Sequence, residues 1–485
     1  MSRLRAWIVV AMGIKQLENL LGRWLAGPAA MRPGMFVVGG AVRDTLLGRI
    51  PKDVDIVCVD AQRAAREIAN SCRFRATVVR LEKKPHPPCF RLINSNDPSD
   101  FIDVVQMRSG SIDEDLAARD FTINAIGATI TAGGKIGDMV DPFDGQKDLK
   151  NRLLKTCSKG AMSSDPLRIL RAARFAATLG FTITDETIDR MAEASPLLVQ
   201  TASERITTEL FELLKHNDSF PYILLLDSVG ALETIFPEIT AMKNCRQDGC
   251  HHLDVWNHCL ETFRWCELFI AGPEAIFGNA CETADKILRS GNHIPMLKLA
   301  ALFHDSGKPS CAAFDPGKKR HVFYNHPKRG HTIAQEIAKR MKLSNTDRKF
   351  FCLLVEQHMR PWELSRPGVR GKTLIRWFGS VSDDGLAIIL LACADMSAKS
   401  GKQMQQAQKE RFFTWARQAA QAYQDRIRTA ISQKPLVSGH DLMAIGIKPG
   451  PDMGRILDAV RQEQYNGLVT SREEGLNLAK KLAGL

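Results

Sequence analysis

Two aspartates one residue apart in an apolar segment are the first residues of this chain whose types and spacing suggest chemistry. Asp53 and Asp55 lie in "DVDIVCVD", residues 53–60, among valine and isoleucine. In a β-strand, side chains two residues apart point to the same face, so the two carboxylates are expected to project together. Like charges held this close repel unless a cation lies between them. The spacing therefore predicts a site for a hard divalent ion, Mg²⁺ first of all.

A glycine pair upstream supplies what a phosphate ligand needs. Gly39 and Gly40 stand in "VVGGAVRD", residues 37–44, and glycine lets the backbone approach a ligand closely. The segment after them has the pattern of a helix start, whose amides favour phosphate, and Arg43 adds a positive charge. A surface turn followed by an acidic strand end is the alternative interpretation. Because glycines, arginine and carboxylates share one short window, we favour a phosphoryl-transfer site.

A second set of candidate residues combines imidazoles and carboxylates near helical apolar runs. A single histidine of this kind is usually a core residue, whereas a set of them with aspartates suits a transition metal or Mg²⁺ that activates water. The set comprises His258, His304, Asp305 and Asp395, with His326 and His358 as further candidates. The segment "CRQDGCHH", with Cys245, Cys250, His251 and His252, matches no common zinc spacing, and we predict no metal site there.

The elements that must position these residues fall into two regions of different pattern. Residues 35–157 alternate short valine- and isoleucine-rich runs with helical patterns, and the expected strands are "MFVVGG", "DVDIVCVD", "ATVVRL", "FIDVVQM" and "NAIGATI". From about residue 158 onward, helical periodicity dominates. With 485 residues, about three to four structural units are expected. The pattern predicts an α+β chain, a mixed-sheet head followed by helices.

Composition indicates which kind of partner and which cellular compartment to expect. A net charge of +12 suits a polyanionic partner, although a protein can be basic without having one. The twelve cysteines are dispersed, without a CxxC pair, which fits a reducing cytoplasm. No apolar run approaches the ~18 residues that span a bilayer. The N-terminus has the pattern of an amphipathic helix rather than a signal peptide. We expect a cytoplasmic protein without a membrane, monomeric or homodimeric, and leave its true start codon open.

The first motif carries a resemblance. "GGAVRDTLLGRIPKDVDIV", residues 39–57, resembles the first motif of class II tRNA nucleotidyltransferases and bacterial poly(A) polymerases, a branch of the polymerase-β-like superfamily. The resemblance implies a polymerase-β-like head. It also implies that Asp53 and Asp55 hold Mg²⁺ ions that activate an RNA 3′-hydroxyl and neutralise a nucleoside triphosphate. Asp103, in "FIDVVQM", is a candidate third carboxylate.

Two later motifs resemble the nucleotide-binding parts of the same family. "RDFTINAIG", residues 119–127, implies that Arg119 and Asp120 address the triphosphate and ribose and that Asn124 helps to fix the sugar. Ala118 stands where the family usually has another arginine. "SSDPLRILRAARF", residues 163–175, resembles the motif whose aspartate and arginine read the incoming base, and this implies that role for Asp165 and Arg168. Arg171 and Arg174 continue a basic stripe, while Ser164 replaces the usual glutamate.

Local chemistry agrees with this resemblance. Pro166 suits the first position of a helix, with Asp165 as its N-cap. Asp165 can accept from an exocyclic amine and Arg168 can donate to the ring edge. Cytosine and adenine both carry such an amine, so CTP and ATP are the expected nucleotides.

The imidazole set resembles the HD phosphohydrolase superfamily, and some tRNA nucleotidyltransferases carry such a domain. The resemblance implies a hydrolytic site with Mg²⁺, Mn²⁺ or Ni²⁺; a helical scaffold without activity is the alternative. The C-terminal segment resembles the arm that grips tRNA. The expected division is an N-terminal helical extension at 1–34, the catalytic head at 35–157, a helical neck with base and RNA binding at 158–245, the HD domain at 246–400 and a tRNA-binding tail at 401–485.

The length of one short segment bears on whether the enzyme adds the whole CCA end or only two cytidines, and the sequence leaves both possible. Only fifteen residues, "VVQMRSGSIDEDLAA", separate Asp103 from Arg119. Relatives that add the whole CCA end usually carry a longer loop here, and CC-adding enzymes resemble the shorter form. The expected function is therefore CCA or CC addition to tRNA. The alternatives are a poly(A) polymerase, an HD phosphohydrolase with an RNA-binding head, and an RNA-binding protein without activity.

Overall fold

The computed structural model describes residues 3–26, 34–51, 53–81, 87–247, 253–399 and 406–485. These residues form two compact units, one within 1–201 and 225–231 and the other within 202–224 and 232–485. We refer to them as the head unit and the helical unit. The five-part division expected from sequence stays a prediction.

A mixed seven-stranded sheet organises the described part of the head unit, with the order β3–β4–β5–β2–β1–β6–β7. β2 and β5 run parallel, with Asp55 opposite Asp103, and the other neighbours are antiparallel. Val37, Ile56 and Val104 are fully buried, so alternate side chains of the central strands form the core. The strands are β1 (Phe36–Val38), β2 (Asp55–Cys58), β3 (Ala76–Leu81), β4 (Cys89–Asn94), β5 (Asp97–Gln106), β6 (Gly127–Thr131) and β7 (Lys135–Val140).

Eight α-helices accompany this sheet among the described residues. They are α1 (Arg3–Trp24), α2 (Gly40–Leu46), α3 (Ala61–Ser71), α4 (Ile112–Ala117), α5 (Gly145–Asn151), α6 (Ala161–Ser164), α7 (Arg168–Leu179) and α8 (Asp185–Ala194). Single 3-10 segments lie at Thr122–Asn124, Ala132–Gly134 and Ser195–Gln200, and β8 (Leu153–Leu154) pairs with β9 (Thr182–Ile183). α1 packs on the head, since Leu21 and Trp24 are buried and Glu18 accepts from the Ile136 backbone at 3.2 Å.

From Ser203 onward the chain is almost entirely helical. The helices are α9 (Ser203–Leu214), α10 (Phe220–Ser228), α11 (Ala231–Ile235), α12 (Glu238–Lys243), α13 (Val255–Ala271), α14 (Glu274–Phe277), α15 (Cys281–Leu288), α16 (His293–Phe303), α17 (Lys308–Cys311), α18 (His326–Arg340), α19 (Asn345–Gln357), α20 (Arg360–Leu364), α21 (Gly371–Val381), α22 (Asp384–Ala398), α23 (Gln406–Ala422), α24 (Arg428–Ser432), α25 (Gly439–Ala444), α26 (Pro451–Tyr465) and α27 (Arg472–Ala483). A hairpin of β10 (Ala313–Asp315) and β11 (Arg320–Val322) and a π-helical turn at Tyr423–Ile427 interrupt them.

Helices that are apolar on nearly all sides form the core of the helical unit. α16 and α22 are buried along most of their length, as expected for helices without a polar face. α13 packs against both of them. The C-terminal helices have a separate small core that includes Leu442, Val460 and Ala479.

A buried ion pair ties α16 to α13. Lys298 is 1% exposed, and its Nζ donates to Glu267 at 2.6 Å and to the His216 carbonyl at 2.6 Å. Glu267 also accepts from the backbone N–H groups of Ser219 and Phe220, at 2.9 and 3.0 Å, where α10 begins. The pair therefore joins three helices through one carboxylate.

Replacing Lys298 with methionine should leave Glu267 buried without its cation. We expect the free energy of unfolding of the helical unit to fall by about 3–5 kcal/mol. Urea unfolding followed by circular dichroism measures the change. Lys339→Met on the exposed side of α18 is the control, with an expected change within about 0.5 kcal/mol. A loss below about 1 kcal/mol for Lys298→Met would show that the pair is not needed for stability.

The α+β prediction is confirmed, and all five expected strands are present. β4 and β7 of the head sheet and the short strands β8, β9, β10 and β11 were not predicted. Among the described residues, no single helix is long and apolar enough to cross a membrane; only the bent pair α21 and α22, at 111°, meets that length and composition when taken together.

Candidate active sites

Three carboxylates meet at the centre of the head sheet. Asp55 is the first residue of β2, and Asp103 is its partner on β5. Asp53 precedes β2 and is exposed. Burial, followed by the charges of Asp103 and Asp53, raises the pKa of Asp55, and Arg119 opposes this rise. Excess negative charge at one buried position is the environment that a divalent cation would relieve.

The structure corrects one detail of the sequence analysis. Asp53 is not in the strand, because β2 begins only at Asp55. The two carboxylates are nevertheless close enough for the charge of Asp53 to act on Asp55. The structure places Asp103 beside Asp55, and the metal-binding roles of all three carboxylates stay predictions.

Arg91 is a residue of this site that the sequence analysis missed. From β4 it donates to both oxygens of Asp103, at 2.8 and 2.7 Å. This bidentate pair fixes the orientation of the third carboxylate. The alternation of "CFRLIN" places Arg91 on one strand face, but the pairing of β4 with β5 cannot be read from it.

The glycine pair and two arginines lie beside this cluster in the head unit. Gly39 has φ +73°, a left-handed conformation that favours glycine, and a Cβ there would overlap the guanidinium of Arg119. Gly40 begins α2. Arg43 is buried, and its Nη1 donates to Oδ1 of Asn124 at 2.8 Å. The first and second motifs are thus directly joined.

Asp120 connects the second motif to α7. Its Oδ1 accepts from Asn124 at 3.0 Å, and its Oδ2 accepts from Nη2 of Arg171 at 2.7 Å. Burial favours a raised pKa, but the charge of Arg171 and the hydrogen bonds from Asn124 and Arg171 outweigh it and lower the pKa of Asp120 to about 2. A continuous chain of hydrogen bonds therefore runs from Arg43 through Asn124 and Asp120 to Arg171.

Arg168, the expected base reader, is held by two backbone carbonyls. Its Nη1 donates to Ala161 at 3.1 Å and its Nη2 to Ala118 at 2.6 Å. Burial lowers the pKa of Arg168, and the charges of Asp120 and Asp165 oppose that effect. The two carbonyls fix the plane of the guanidinium, as a group that reads a base edge requires. Arg174 lies on the same helix, 4.3 Å from the ring centre of Phe175.

The expected helix start is wrong by two residues. α7 begins at Arg168 with Leu167 as its N-cap, not at Pro166 with Asp165. Pro166 and Leu167 form a turn in which the Asp165 carbonyl accepts from Arg168 at 3.0 Å. The side chain of Asp165 accepts from the Leu167 backbone at 3.4 Å, a long contact, so the backbone rather than the side chain closes this turn.

The imidazole set of the helical unit forms one buried cluster. Two groups share Asp305, the first with His258 and His304 and the second with His326 and His358. Oδ2 of Asp305 lies 3.3 Å from His304, and Oδ1 lies 3.3 Å from His326 and 3.6 Å from His358. Asp395 joins the first group through Nε2 of His258 at 3.0 Å. The structure thus assembles all six residues selected from the sequence.

Backbone carbonyls orient three of these rings. The Nδ1 atoms of His304, His326 and His358 lie 3.0, 2.8 and 2.7 Å from the carbonyls of Ala301, Phe323 and Val355. Each Nδ1 donates in this arrangement, which leaves Nε2 as the ligand atom on the Asp305 side. Nε2 of His304 is buried and has no aligned hydrogen-bond partner among the described residues.

Electrostatics also fit a bound cation. Burial lowers the pKa of His258 and of His358 to about 4, so both rings are neutral, as metal ligands must be. Burial also disfavours charge on His304, but the neighbouring Asp305 raises its pKa, so a metal binding there would displace the proton of this ring. The residues therefore fit a divalent metal, although the ion itself stays a prediction.

Two lysines that the sequence analysis missed lie against the carboxylates. Lys308 contacts Oδ2 of Asp305 at 2.5 Å, and Lys399 contacts Oδ2 of Asp395 at 2.7 Å. Their spacings of three and four residues from the aspartates were the available signal. In the disfavoured segment "CRQDGCHH", Cys245 is buried, whereas Cys250, His251 and His252 lie outside the described residues.

The sheet with its carboxylates and the helical His/Asp cluster define a nucleotidyltransferase joined to an HD domain. Residues 35–155 match the family described as Poly A polymerase head domain, 180–243 the Probable RNA and SrmB- binding site of polymerase A, and 255–395 the HD domain.

Relatives of known name are similar to this chain over most of its length. The chain is 30% identical to the A-adding tRNA nucleotidyltransferase of Deinococcus radiodurans, over 93% of this chain and 96% of that protein. It is 32% identical to the CC-adding tRNA nucleotidyltransferase of Thermus thermophilus, over 90% and 91%. The chain therefore belongs to the tRNA nucleotidyltransferase family.

Solved structures agree on the fold. A CCA-adding enzyme in complex with CTP superimposes with a TM-score of 0.63 at 20% identity, over 99% of this chain and 98% of that one. The Thermotoga maritima CCA-adding enzyme complexed with tRNA gives a TM-score of 0.61 at 20% identity, over 96% of this chain and 94% of that one.

Proposed function

We propose that this chain extends the 3′ end of tRNA with cytidine from CTP and stops after two additions. The observation that carries the proposal is the carboxylate cluster of Asp53, Asp55 and Asp103 beside Gly39 and Arg119. In the reaction, the RNA 3′-hydroxyl loses its proton and its oxygen bonds to the α-phosphorus. The bond to the β-phosphate breaks, and pyrophosphate leaves.

Mg²⁺ held by Asp53 and Asp55 would favour the deprotonated hydroxyl and neutralise the phosphates. The protein's own groups do the positioning. Arg119 faces Gly39, where only a glycine leaves room for it, and it supplies positive charge for the triphosphate. The chain of hydrogen bonds from Arg43 to Arg171 holds Asp120 and Asn124 in place for the ribose.

The stop after two additions is inferred from the segment between β5 and Arg119. Half of its length is taken up by α4, and Asp115 on that helix is buried and pairs with Arg119 at 3.3 Å. A short segment tied to the nucleotide-binding arginine has little freedom to rearrange for a different base. Relatives named CC-adding, including one from Geobacter sulfurreducens at 38% identity over 42% of this chain, support this inference.

Complete CCA addition is the second candidate, with ATP as the last substrate. It is favoured by the base-reading pair, because Asp165 accepts equally well from the amines of adenine and cytosine. A poly(A) polymerase would use ATP alone and disregard the tRNA fold.

Base selection provides the test. Purified protein with Mg²⁺ and labelled tRNA lacking its last three nucleotides is supplied with each nucleoside triphosphate singly. We expect incorporation of CTP and rejection of UTP and GTP. Incorporation of UTP at a similar rate would contradict the proposed reading of the exocyclic amine.

Replacing Arg168 with alanine should reduce kcat/KM for CTP by about 10–100-fold and narrow the preference for CTP over UTP, because a base-edge contact is lost. Arg168→Lys keeps the charge without the planar fork and should recover only part of the preference. Lys147→Ala, an exposed change on α5, is the control. An unchanged CTP preference in Arg168→Ala would remove this residue from base reading.

We also propose a metal-dependent phosphohydrolase at the buried His/Asp cluster, with Mg²⁺, Mn²⁺ or Ni²⁺ as the candidate ions. It is supported by two ligand groups on one bridging carboxylate, an arrangement that can hold a metal and a water that the metal activates. The C-terminal helices are proposed to contact the tRNA backbone, with Gly446 and Gly450 in the loop between α25 and α26. The cytoplasmic location and the monomeric or homodimeric state stay predictions.

A further inference from the structure

The β10–β11 hairpin is an exposed element that lies, along the chain, between residues of the buried His/Asp cluster. Along the chain it follows Asp305 and Lys308 and precedes His326. All residues from 312 to 321 except Asp315 are exposed, so the hairpin contributes little to a core. Two of the exposed side chains are large and aromatic. Phe314 is 59% exposed, and Tyr324, just after the hairpin, is 62% exposed. Two large aromatic side chains displayed in this way point to a ligand.

Aromatic side chains in and next to the hairpin connect it to the His/Asp cluster. Phe314 is paired with His321 across the strands, and their ring centres are 5.5 Å apart. Phe323 directly follows the end of β11, two residues after His321. The ring of Phe323 is 5.6 Å from Nζ of Lys308, the amine that contacts Asp305. The residue that follows the hairpin therefore contacts the lysine of the candidate metal site.

The charges around the hairpin are strongly one-sided. Residues 313–329 contain one acidic residue, Asp315, and five cations, which are Lys318, Lys319, Arg320, Lys328 and Arg329. All five cations are exposed. Aromatic faces beside cations are the usual surface for single-stranded nucleic acid, since bases stack and phosphates are neutralised. Lys318 pairs with Asp315 at 3.5 Å and lies 5.1 Å from the ring centre of Tyr324. The other four cations still exceed what one phosphate needs, which favours a strand over a mononucleotide.

We infer that the hairpin binds the single-stranded 3′ end of an RNA, with a base stacked on Phe314 or Tyr324 and the terminal phosphate directed to the His/Asp cluster. This inference rests on the proposed phosphohydrolase and names its substrate class, an RNA end that carries a phosphate. Hydrolysis would transfer the phosphoryl group to water, breaking its bond to the ribose oxygen, which takes up a proton. Phe314 and Tyr324 act as positioning residues.

The test is a comparison of substrates in the full chain with Mn²⁺ or Ni²⁺. The double variant Phe314→Ala and Tyr324→Ala should raise KM for a 3′-phosphorylated RNA trinucleotide by about 10-fold or more, since stacking is lost, with kcat nearly unchanged. Glycerol 2-phosphate has no base, and its kcat/KM should stay within about twofold. Val369→Ala, another exposed apolar change in this unit, is the control.

Three results would overturn the inference. The first is an unchanged KM of the double variant for the trinucleotide. The second is an equal loss of kcat/KM for glycerol 2-phosphate. The third is an equal rise in KM for a 3′-mononucleotide, which would mean that the hairpin binds a single nucleotide and not an RNA strand.

A second measurement is independent of hydrolysis. A trinucleotide with 5-iodouridine at its 3′ end is photo-crosslinked to the full chain carrying Asp305→Ala, and the crosslinked peptides are mapped by mass spectrometry. We expect a crosslink at Phe314 or Tyr324, and its absence overturns the RNA contact. A crosslink in a chain whose wild type hydrolyses nothing would retain the hairpin as an RNA contact while the phosphohydrolase proposal fails.

Discussion

Asp55→Ala is expected to abolish nucleotide addition to tRNA, with a loss of at least ~10³-fold in rate, and to leave hydrolysis at the His/Asp cluster unchanged. Burial raises the pKa of Asp55, so its negative charge is disfavoured unless a cation is bound. Without it, Mg²⁺ loses a ligand and the phosphates lose the charge that neutralises them, an effect of several kcal/mol on the barrier. Single-turnover extension of a labelled tRNA measures the loss.

The control for this prediction removes a carboxylate of the same sheet that does not face the site. Asp138→Ala on β7 is exposed and should retain addition within about twofold. Asp55→Asn keeps the size of the side chain and should be as inactive as alanine, since an amide is a poor ligand for Mg²⁺. Addition above about a hundredth of the wild-type rate in both Asp55 variants would show that the metal assignment is wrong.

The second large effect is expected at the bridging carboxylate of the helical unit. Asp305→Asn should reduce phosphatase activity by at least ~10³-fold, because both ligand groups share this residue. Metal content of the purified protein should fall together with activity, and chelation of the wild type should reproduce the loss. Nucleotide addition should persist, since its proposed ligands belong to a different cluster.

A stability measurement and two further variants support the interpretation of Asp305→Asn. Asparagine fits the buried position but cannot balance the charge of Lys308, so the stability of the variant must be measured beside its activity. His358→Ala removes a ligand of the second group only, and we expect it to lower metal content while the first group remains. Glu336→Ala, exposed on α18, is the neutral control. Full phosphatase activity in Asp305→Asn would refute the proposed centre.

The sequence predicted the catalytic strands well because their signals are local. Short valine-rich runs define β1 and β2, and a glycine pair follows β1. The spacing of Asp53 and Asp55 brings their charges together even though Asp53 lies before the strand. β7 was missed because "KIGDMV" contains Gly137 and Asp138, which are poor strand formers. The start of α7 was misplaced because a proline can open a turn as readily as a helix.

Residues that act through tertiary pairing could not be found in this way. Arg91 orients Asp103 only because β4 lies next to β5, and nothing within either segment specifies that neighbour. The histidines were selected by type and surroundings, but their separation into two groups on Asp305 depends on how four helices, α13, α16, α18 and α19, pack. The sequence therefore indicated which side chains are candidates for the chemistry, whereas the packing determined which of them lie together.

The most direct test of the central claim is the length of the product on a tRNA that lacks its last three nucleotides. Purified protein and Mg²⁺ are supplied with CTP alone, ATP alone or both, and a tRNA already ending in CC is supplied with ATP. We predict two added nucleotides with CTP, the same two with both nucleotides, and no extension of the CC-ended tRNA. A third nucleotide would contradict the proposed stop and show complete CCA addition. Addition of a single adenosine to the CC-ended tRNA only, or a long ladder from ATP alone, would contradict the cytidine-adding account.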